Sequence, residues 1–406
     1  MNNAGGIRVL MLDPAGSSAH VSHNLCNHLS RMGCDVHVLT APHWLRATGT
    51  SEKTEYQVHV CFYRGTQIRS YQAKSGFVRV WWRVVRLVQH IRAMASVCAM
   101  AREFDVVHTQ ILPLPALDYV CLAIIARRTP IVCTVHELVP HTAKYRRLTG
   151  KSLQRIYRLA SVLFVYTEYT RNRLIQEQRV PSEKIFNVPH GNLEHLLDLT
   201  SGVDDEQRSH PPIVLFLGSI RPDKGLDTLI KAGWHLRKKV PSFKVMIAGV
   251  PGFDLTNVRK LVSELDLQHL VDFHLGYVPE SEFAVHLRRA AVVALPYRRV
   301  EQSGVAIAAC TLGKAIVATR CGGLEELITE AGNGILVPID NPGALADALA
   351  TLLLDEGARR LCEVRSRSYA QSKLSWASIA SRTMLGYDTA IRRLEYAERR
   401  VAPEKS

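Results

Sequence analysis

PYRRVEQSGVAIAACTLGKAIVATRCGGLEE, from Pro296 to Glu326, decides how this chain is read. It passes from a loop into the apolar helix VAIAACTLG, then into the strand AIVATR, then into a loop opened by Gly322-Gly323. A helix leading into a continuous apolar strand is the repeating unit of a parallel sheet covered on both faces. Glu301 stands at the start of one helix and a glycine pair at the start of the next, at the strand ends where such sheets bind ligands.

Working outward, the same unit recurs. Upstream lie IVLFLGS (213–219), KVMIAG (244–249), VDFHLGY (271–277) and AVVALPY (291–297), and downstream GILVP (334–338). Helical stretches such as GLDTLIKAGWHLRKK and PGALADALATLLLD separate them. The first half has its own series: IRVLMLD (7–13), DVHVLTA (35–41), DVVHTQ (105–110), PIVCTVHE (130–137), SVLFVYT (161–167) and IFNVPHGN (185–192). Between the two series, SGVDDEQRSHPP (201–212) is polar and aperiodic, and reads as a linker. A chain of 406 residues exceeds what one core usually serves. The expectation is two doubly wound α/β domains with ligands bound between them, followed by a long helix at about 373–400.

Composition narrows the class. The hydrophobic and charged fractions, 47% and 22%, are those of a globular protein, and no apolar run approaches the roughly 18–20 residues of a membrane span. The nine cysteines are scattered, without CxxC or metal-ligand spacing, and read as buried thiols in a reducing compartment. Of the net charge of +14, the first 195 residues carry +12, with 24 Lys/Arg against 12 Asp/Glu. A basic face on one domain attracts an anionic partner to that domain. No nucleic-acid reader motif accompanies it.

Several loops carry chemistry. Gly16-Ser17 follows the first strand and suits either a tight turn or an anion at a helix start. Ser219, Arg221 and Lys224, in LGSIRPDKG, place cations beside a helix N-terminus without P-loop spacing. Ser303 or Gln302 can cap the next helix, leaving amides near Gly304-Val305 for a phosphate. His108 and His136 end neighbouring strands and can hydrogen-bond a sugar or phosphate.

LGSIRPDKG, a strand ending in AG, LGYVPESE, LPY, EQSG from Glu301, GKAIVAT and GGLEE form an ordered set that resembles the second domain of glycosyltransferase family 4, the group 1 glycosyltransferases. The Gly16 loop, VHVLT, DVVH, TVHE and VPHGN agree in the first half. The resemblance implies a GT-B fold: two Rossmann-like domains, 1–195 for the acceptor and 196–380 for the donor, facing across a cleft. Residues 381–406 would form a helix crossing back to the first domain, and a tail. It further implies retaining transfer of a hexose-type sugar from a nucleotide diphosphate, with no metal and no cofactor beyond that co-substrate.

Carried over, Arg221 and Lys224 bind the diphosphate and Glu301 the donor sugar, with His136 near the reaction centre and His108 on the acceptor side. Gly16, Ser17, Ser219, Val278, Ser303, Gly304 and Val305 line the donor. Two departures stand out. Ser219 replaces the family's arginine, and the second glutamate of E-x7-E is Ala309, for which Glu326 or Glu325 is a candidate substitute. A weakly active sugar-nucleotide-binding partner subunit is the alternative.

No acidic residue lies between Glu55 and Glu103, and SGFVRVWWRVVRLVQHIRAM within that stretch reads as a helix with Trp81 and Trp82 among arginines. KYRRLTGKSLQRIYR (144–158) is also free of acids. Such compositions suit an anionic membrane surface, through 74–94 and 144–158. The expected setting is cytoplasmic, peripheral on the inner face of the plasma membrane, with a lipid-linked or glycan acceptor.

Overall fold

A computed structural model describes residues 6–16, 18–48, 54–65, 76–138, 146–202 and 211–401; Ser17 and Lys74 lie outside them. By contacts the chain divides into two compact units. Unit 1 holds Met1–Tyr166, Thr170–Pro189 and Trp376–Ser406; unit 2 holds Thr167–Tyr169 and His190–Ser375.

Unit 1 is a seven-stranded parallel sheet, order β3-β2-β1-β4-β5-β6-β7. Its strands are β1 (Arg8–Asp13), β2 (Asp35–Thr40), β3 (Gln57–Val60), β4 (Val106–Thr109), β5 (Ile131–Val135), β6 (Val162–Val165) and β7 (Ile185–Asn187). Strands β4 to β6 are buried along their whole length, as continuous apolar runs under helices require. The edge strand β3, QVHV, is too short and too polar to announce itself, and it is half-buried. After Asn187 the run expected to continue to 192 leaves the sheet.

Unit 2 is a six-stranded parallel sheet, order β10-β9-β8-β11-β12-β13. It comprises β8 (Ile213–Leu217), β9 (Lys244–Gly249), β10 (Val271–Leu275), β11 (Val292–Leu295), β12 (Ala315–Thr319) and β13 (Gly334–Val337). In each sheet the chain reverses its winding beside the first strand, so the crevice for a ligand opens at the carboxyl ends of β1 and β4 in unit 1, and of β8 and β11 in unit 2.

The long C-terminal helix runs Trp376–Val401 and belongs to unit 1 from its first residue. Trp376, Ile379, Tyr387 and Ala390 join a core with Val106, Val132 and Phe164. At Gly386 a Cβ would come within 2.3 Å of the Phe164 ring, so glycine sets how closely the helix lies on the sheet. The Tyr387 hydroxyl bonds His108 Nδ1 at 2.7 Å, and His108 Nε2 pairs with Thr134 Oγ1 at 2.7 Å.

This corrects the reading of His108 as an acceptor ligand. Its ring is fully buried and both nitrogens are committed to the protein. Burial first, then the nearby His136, lowers its pKa to about 3. The unfolded chain, whose histidine titrates near 6.5, therefore binds a proton that the native chain refuses between pH 6.5 and about 3. Stability accordingly falls as pH drops through that window, by at most about 1.4 kcal/mol per pH unit. Urea midpoints at about pH 7.5 and 4.5 should show His108→Asn less stable than the parent at the higher pH but losing less on acidification. An equal loss in both chains would contradict the buried, neutral imidazole.

Candidate functional site

The unit 2 site begins at the loop after β8. Gly218 (φ 106°) turns the chain, and a Cβ there would lie 3.2 Å from Val305 Cγ2, so this loop touches the first turn of the helix Gly304–Thr311. Gly225 has φ 66°, and a Cβ on it would lie 1.9 Å from the Pro296 carbonyl oxygen. Only glycine permits that approach. It brings Lys224, largely buried, against the next strand end, with Nζ 3.8 Å from the Tyr297 ring centroid and 3.9 Å from Asp223 Oδ2.

Arg221 is arranged differently from expectation. Its Nε and Nη2 both donate to the Asp223 carboxylate at 3.0 Å, a two-point pair that spends much of its charge within the loop. Burial pushes the Asp223 carboxyl up, but the Arg221 hydrogen bonds and the Lys224 and Arg221 charges outweigh it and hold the group below the usual carboxylate range. Arg298, which the sequence reading missed, braces the loop. It donates to Asp227 and Asp340 at 2.8 and 2.7 Å and to the Pro222 carbonyl at 2.8 Å. Its place directly after LPY was the available signal.

Ser303, not Gln302, caps the helix Gly304–Thr311: its Oγ accepts from the Ala306 amide at 3.2 Å. Among the described residues the amides of Gly304 and Val305 have no protein acceptor. They are the orphan donors of a helix start, suited to an anion. Gln302 Nε2 is buried beside them, also without a protein partner. Burial pushes the Tyr297 hydroxyl well up, with the Ser303 hydrogen bond opposing, so it stays protonated.

The glycine pair has a packing task. A Cβ on Gly322 (φ 49°) would sit 1.8 Å from the Val300 carbonyl oxygen, and one on Gly323 would sit 2.3 Å from that of Glu301. The helix Gly322–Ala331 therefore starts directly against the backbone that carries Glu301. The Glu301 carbonyl also accepts from Thr167 Oγ1 at 3.3 Å. Glu326 Oε2 accepts the Glu168 amide at 2.7 Å, which gives Glu326 a structural task, and Glu325 pairs with Arg320 at 3.3 Å. Ala309 is fully buried in the unit 2 core. Ser219 is exposed in its loop, and Val278 packs against the core beyond β10 beside the exposed Tyr277.

In unit 1, Gly16 (φ 63°) closes a tight turn, its amide bonding the Asp13 carbonyl at 3.0 Å. Asp13, fully buried at the end of β1, accepts from Ser18 Oγ at 2.9 Å. His136 Nε2 meets Gln110 Oε1 at 2.9 Å, and Nδ1 meets the Tyr166 hydroxyl at 3.1 Å. The amide oxygen only accepts, so Nε2 carries the proton and Nδ1 receives one from Tyr166. Burial, then the Asp13 charge, pushes the Tyr166 hydroxyl well up and keeps it a donor. His136 is thus a ring held in one tautomer rather than a base with an unused lone pair.

Residues 18–192 match the family model described as Glycosyltransferase Family 4, and residues 204–369 the one described as Glycosyl transferases group 1. The D-inositol 3-phosphate glycosyltransferase of Corynebacterium glutamicum is 30% identical over 284 residues, 65% of this chain and 68% of that protein. The chain belongs to glycosyltransferase family 4. A further relative, a GDP-mannose-dependent alpha-(1-6)-phosphatidylinositol monomannoside mannosyltransferase of Mycolicibacterium smegmatis, is 28% identical over 57% of this chain and 63% of its own length. Among solved structures, sucrose-phosphate synthase from Thermosynechococcus elongatus superposes with a TM-score of 0.68 at 19% identity, covering 96% of this chain and 100% of that one. Anabaena HepE in complex with UDP gives 0.66 at 17% identity, covering 94% and 100%. At such identities the likeness speaks to the fold, which is the two-domain GT-B fold.

The glycine contacts of this family 4 glycosyltransferase have a direct test. Gly323→Ala should force the Glu301 backbone aside, lowering transfer activity tenfold or more and the melting temperature by a few degrees, since about 1 Å of misplacement can cost about 10²-fold. Gly304→Ala, where a Cβ meets nothing within 4 Å, should leave the melting temperature unchanged. Equal effects in the two variants would refute the packing argument.

Proposed function

We propose that this glycosyltransferase moves a hexosyl group from a nucleotide-diphosphate sugar to a hydroxyl group with retention of configuration. Protein groups alone neutralise the leaving diphosphate. The observation that carries the reading is the packing of the loop after β8, which bears Lys224, against Val305 through Gly218 and against Pro296 through Gly225, at a helix start whose Gly304 and Val305 amides have no protein acceptor among the described residues. Such preorganised donors stabilise charge as it develops on a departing oxygen.

In the proposed reaction the bond from the anomeric carbon to the diphosphate oxygen breaks, and the acceptor oxygen bonds that carbon on the same face. The hydroxyl proton passes to the departing diphosphate. Glu301 holds the donor sugar and Gln302 supplies a further hydrogen bond. His136, fixed by Gln110 and Tyr166, orients its surroundings. The first domain receives the acceptor. The two relatives named above act, by their names, on inositol phosphate and on a phosphatidylinositol mannoside. Both names support an acceptor that carries a phosphate, and the second a lipid-linked one, which on this reading is met at the cytoplasmic face of a membrane.

Lys224→Ala should abolish the thermal shift given by nucleotide diphosphates and lower kcat/KM by about 10²–10³-fold. Glu301→Gln should keep that shift and lose turnover. A screen of UDP, GDP and ADP sugars, with the product anomer read by NMR, identifies the donor and tests retention. Donor binding without turnover on a broad acceptor panel would favour the partner-subunit reading, and an undiminished shift in Lys224→Ala would overturn the placement of the diphosphate.

A further inference from the structure

The helix Gly76–Met100 of unit 1 has two halves with different surroundings. Its C-terminal half is built into the core through Ala93, Met94 and Val97. There His90 sits in a buried chain, its Nε2 2.6 Å from Asp118 Oδ1 and its Nδ1 2.8 Å from the Tyr63 hydroxyl. From its N-terminal half to just past its middle the helix presents Phe77, Val80, Trp81, Val84, Val88 and Ile91 to solvent, with Phe77 82% and Trp81 58% exposed. Steps of three, four and seven residues place these side chains on one stripe. The stretch Phe77–Glu103 has the length and composition of a membrane span, contrary to the expectation from sequence. A span would have to pull Met94, Val97 and His90 out of the domain, so the helix fits a surface position, anchored at one end.

A recess of about 330 Å3 flanks the stripe, lined by Cys61, Arg64, Gln89, Arg92, Ala93 and Ser96. Arg92 lies one turn beyond Val88 and is next in sequence to Ile91, so the recess adjoins the apolar side chains. Arg64 donates from Nε to the Val60 carbonyl at 2.6 Å, and Gln89 Nε2 donates to the Arg64 carbonyl at 3.0 Å, which fixes the recess wall. Among the described residues no carboxylate pairs with Arg64, Arg92, Arg79 or Arg83, and the chain from Tyr56 to Arg102 contains none. The other acid-free stretch differs: in the helix Arg146–Leu159, Leu153, Ile156 and Tyr157 are buried, and the exposed side chains among those described are Lys151, Arg155 and Arg158.

We propose that the Arg64–Arg92 recess binds the phosphate headgroup of an anionic lipid while the stripe from Phe77 to Ile91 lies in the adjoining acyl region. Guanidinium pairs match phosphate oxygens in two-point geometry, and an amphipathic helix bearing Trp and Arg is suited to the interface. The assignment rests on the lipid-linked acceptor reading only for its purpose, because the recess belongs to unit 1 and the donor residues named above to unit 2.

The test is sedimentation of the full-length protein with phosphatidylcholine vesicles, and with vesicles also containing phosphatidic acid, at low and high salt. Donor-sugar hydrolysis is followed in parallel. The parent should bind the anionic vesicles at low salt and release at high salt. Arg64→Gln/Arg92→Gln should weaken binding about thirtyfold, at roughly a factor of five for each basic group near the surface. Phe77→Ser/Trp81→Ser should abolish it, and both variants should keep hydrolysis. Failure of the parent to bind anionic vesicles while hydrolysis persists would overturn this proposal and leave the transferase reading standing. So would unchanged binding in the arginine variant, competition by inorganic phosphate equal to that by lipid, or a stripe variant that only converts a dimer to a monomer.

Discussion

The unit 2 site depends on backbone meeting backbone with no side chain between. At Gly225, Gly322 and Gly323 a single added carbon would lie 1.9, 1.8 and 2.3 Å from a carbonyl oxygen. Each of those oxygens belongs to the segment Pro296–Glu301 that leaves β11. One stretch of main chain is thus held from two sides, by the turn after β8 and by the helix after β12. The side chains it carries, Tyr297 and Glu301, inherit positions that packing determines more tightly than a hydrogen bond would. Positive φ at Gly225 and Gly322 belongs to the same constraint, since a branched residue would resist both the dihedral and the contact.

Charge follows from that frame. The loop after β8 brings together Arg221, Asp223, Lys224 and Asp227, a group that nearby Arg298 completes. Arg221 answers Asp223, and Arg298 answers Asp227 and Asp340, so the loop is neutralised largely from within. Lys224 lies 3.9 Å from Asp223 Oδ2 and 3.8 Å from the centre of the Tyr297 ring. The positive charge of Lys224 and the dipole of the helix that starts at Gly304 both suit an anion.

Most of the fold was legible because parallel strands buried on both faces are written as unbroken apolar runs, as in β5, β6, β8, β11 and β12, whereas the edge strands β3 and β10 are partly exposed and interrupted by polar residues. The family motifs were legible because their glycines and strand ends recur in a fixed order. What stayed hidden were partners distant in sequence. DVVH looks the same whether its histidine faces a ligand or, as here, a tyrosine 279 residues away on the last helix. Glu326 gave no sign that it would hold the Glu168 amide, and Arg221 none that it would turn to Asp223 two residues on. Gly322-Gly323 was visible as a feature but not as a cause, because the carbonyls it accommodates lie in a different loop.

Ala309 shows how such a departure from a family pattern is accommodated. Its side chain lies in the unit 2 core among residues including Ile307, Ala308 and Cys310, all buried. A carboxylate confined there would be costly unless paired. The first position of the motif, Glu301, sits before the helix begins, where the fold is fixed by glycine contacts and not by side-chain burial. The two positions therefore answer to different constraints. Replacing the second with alanine leaves the main-chain frame around Glu301, Gly304 and Lys224 intact. On the donor reading proposed above, the grip on the nucleoside end can therefore change without moving the main chain at the diphosphate and the sugar.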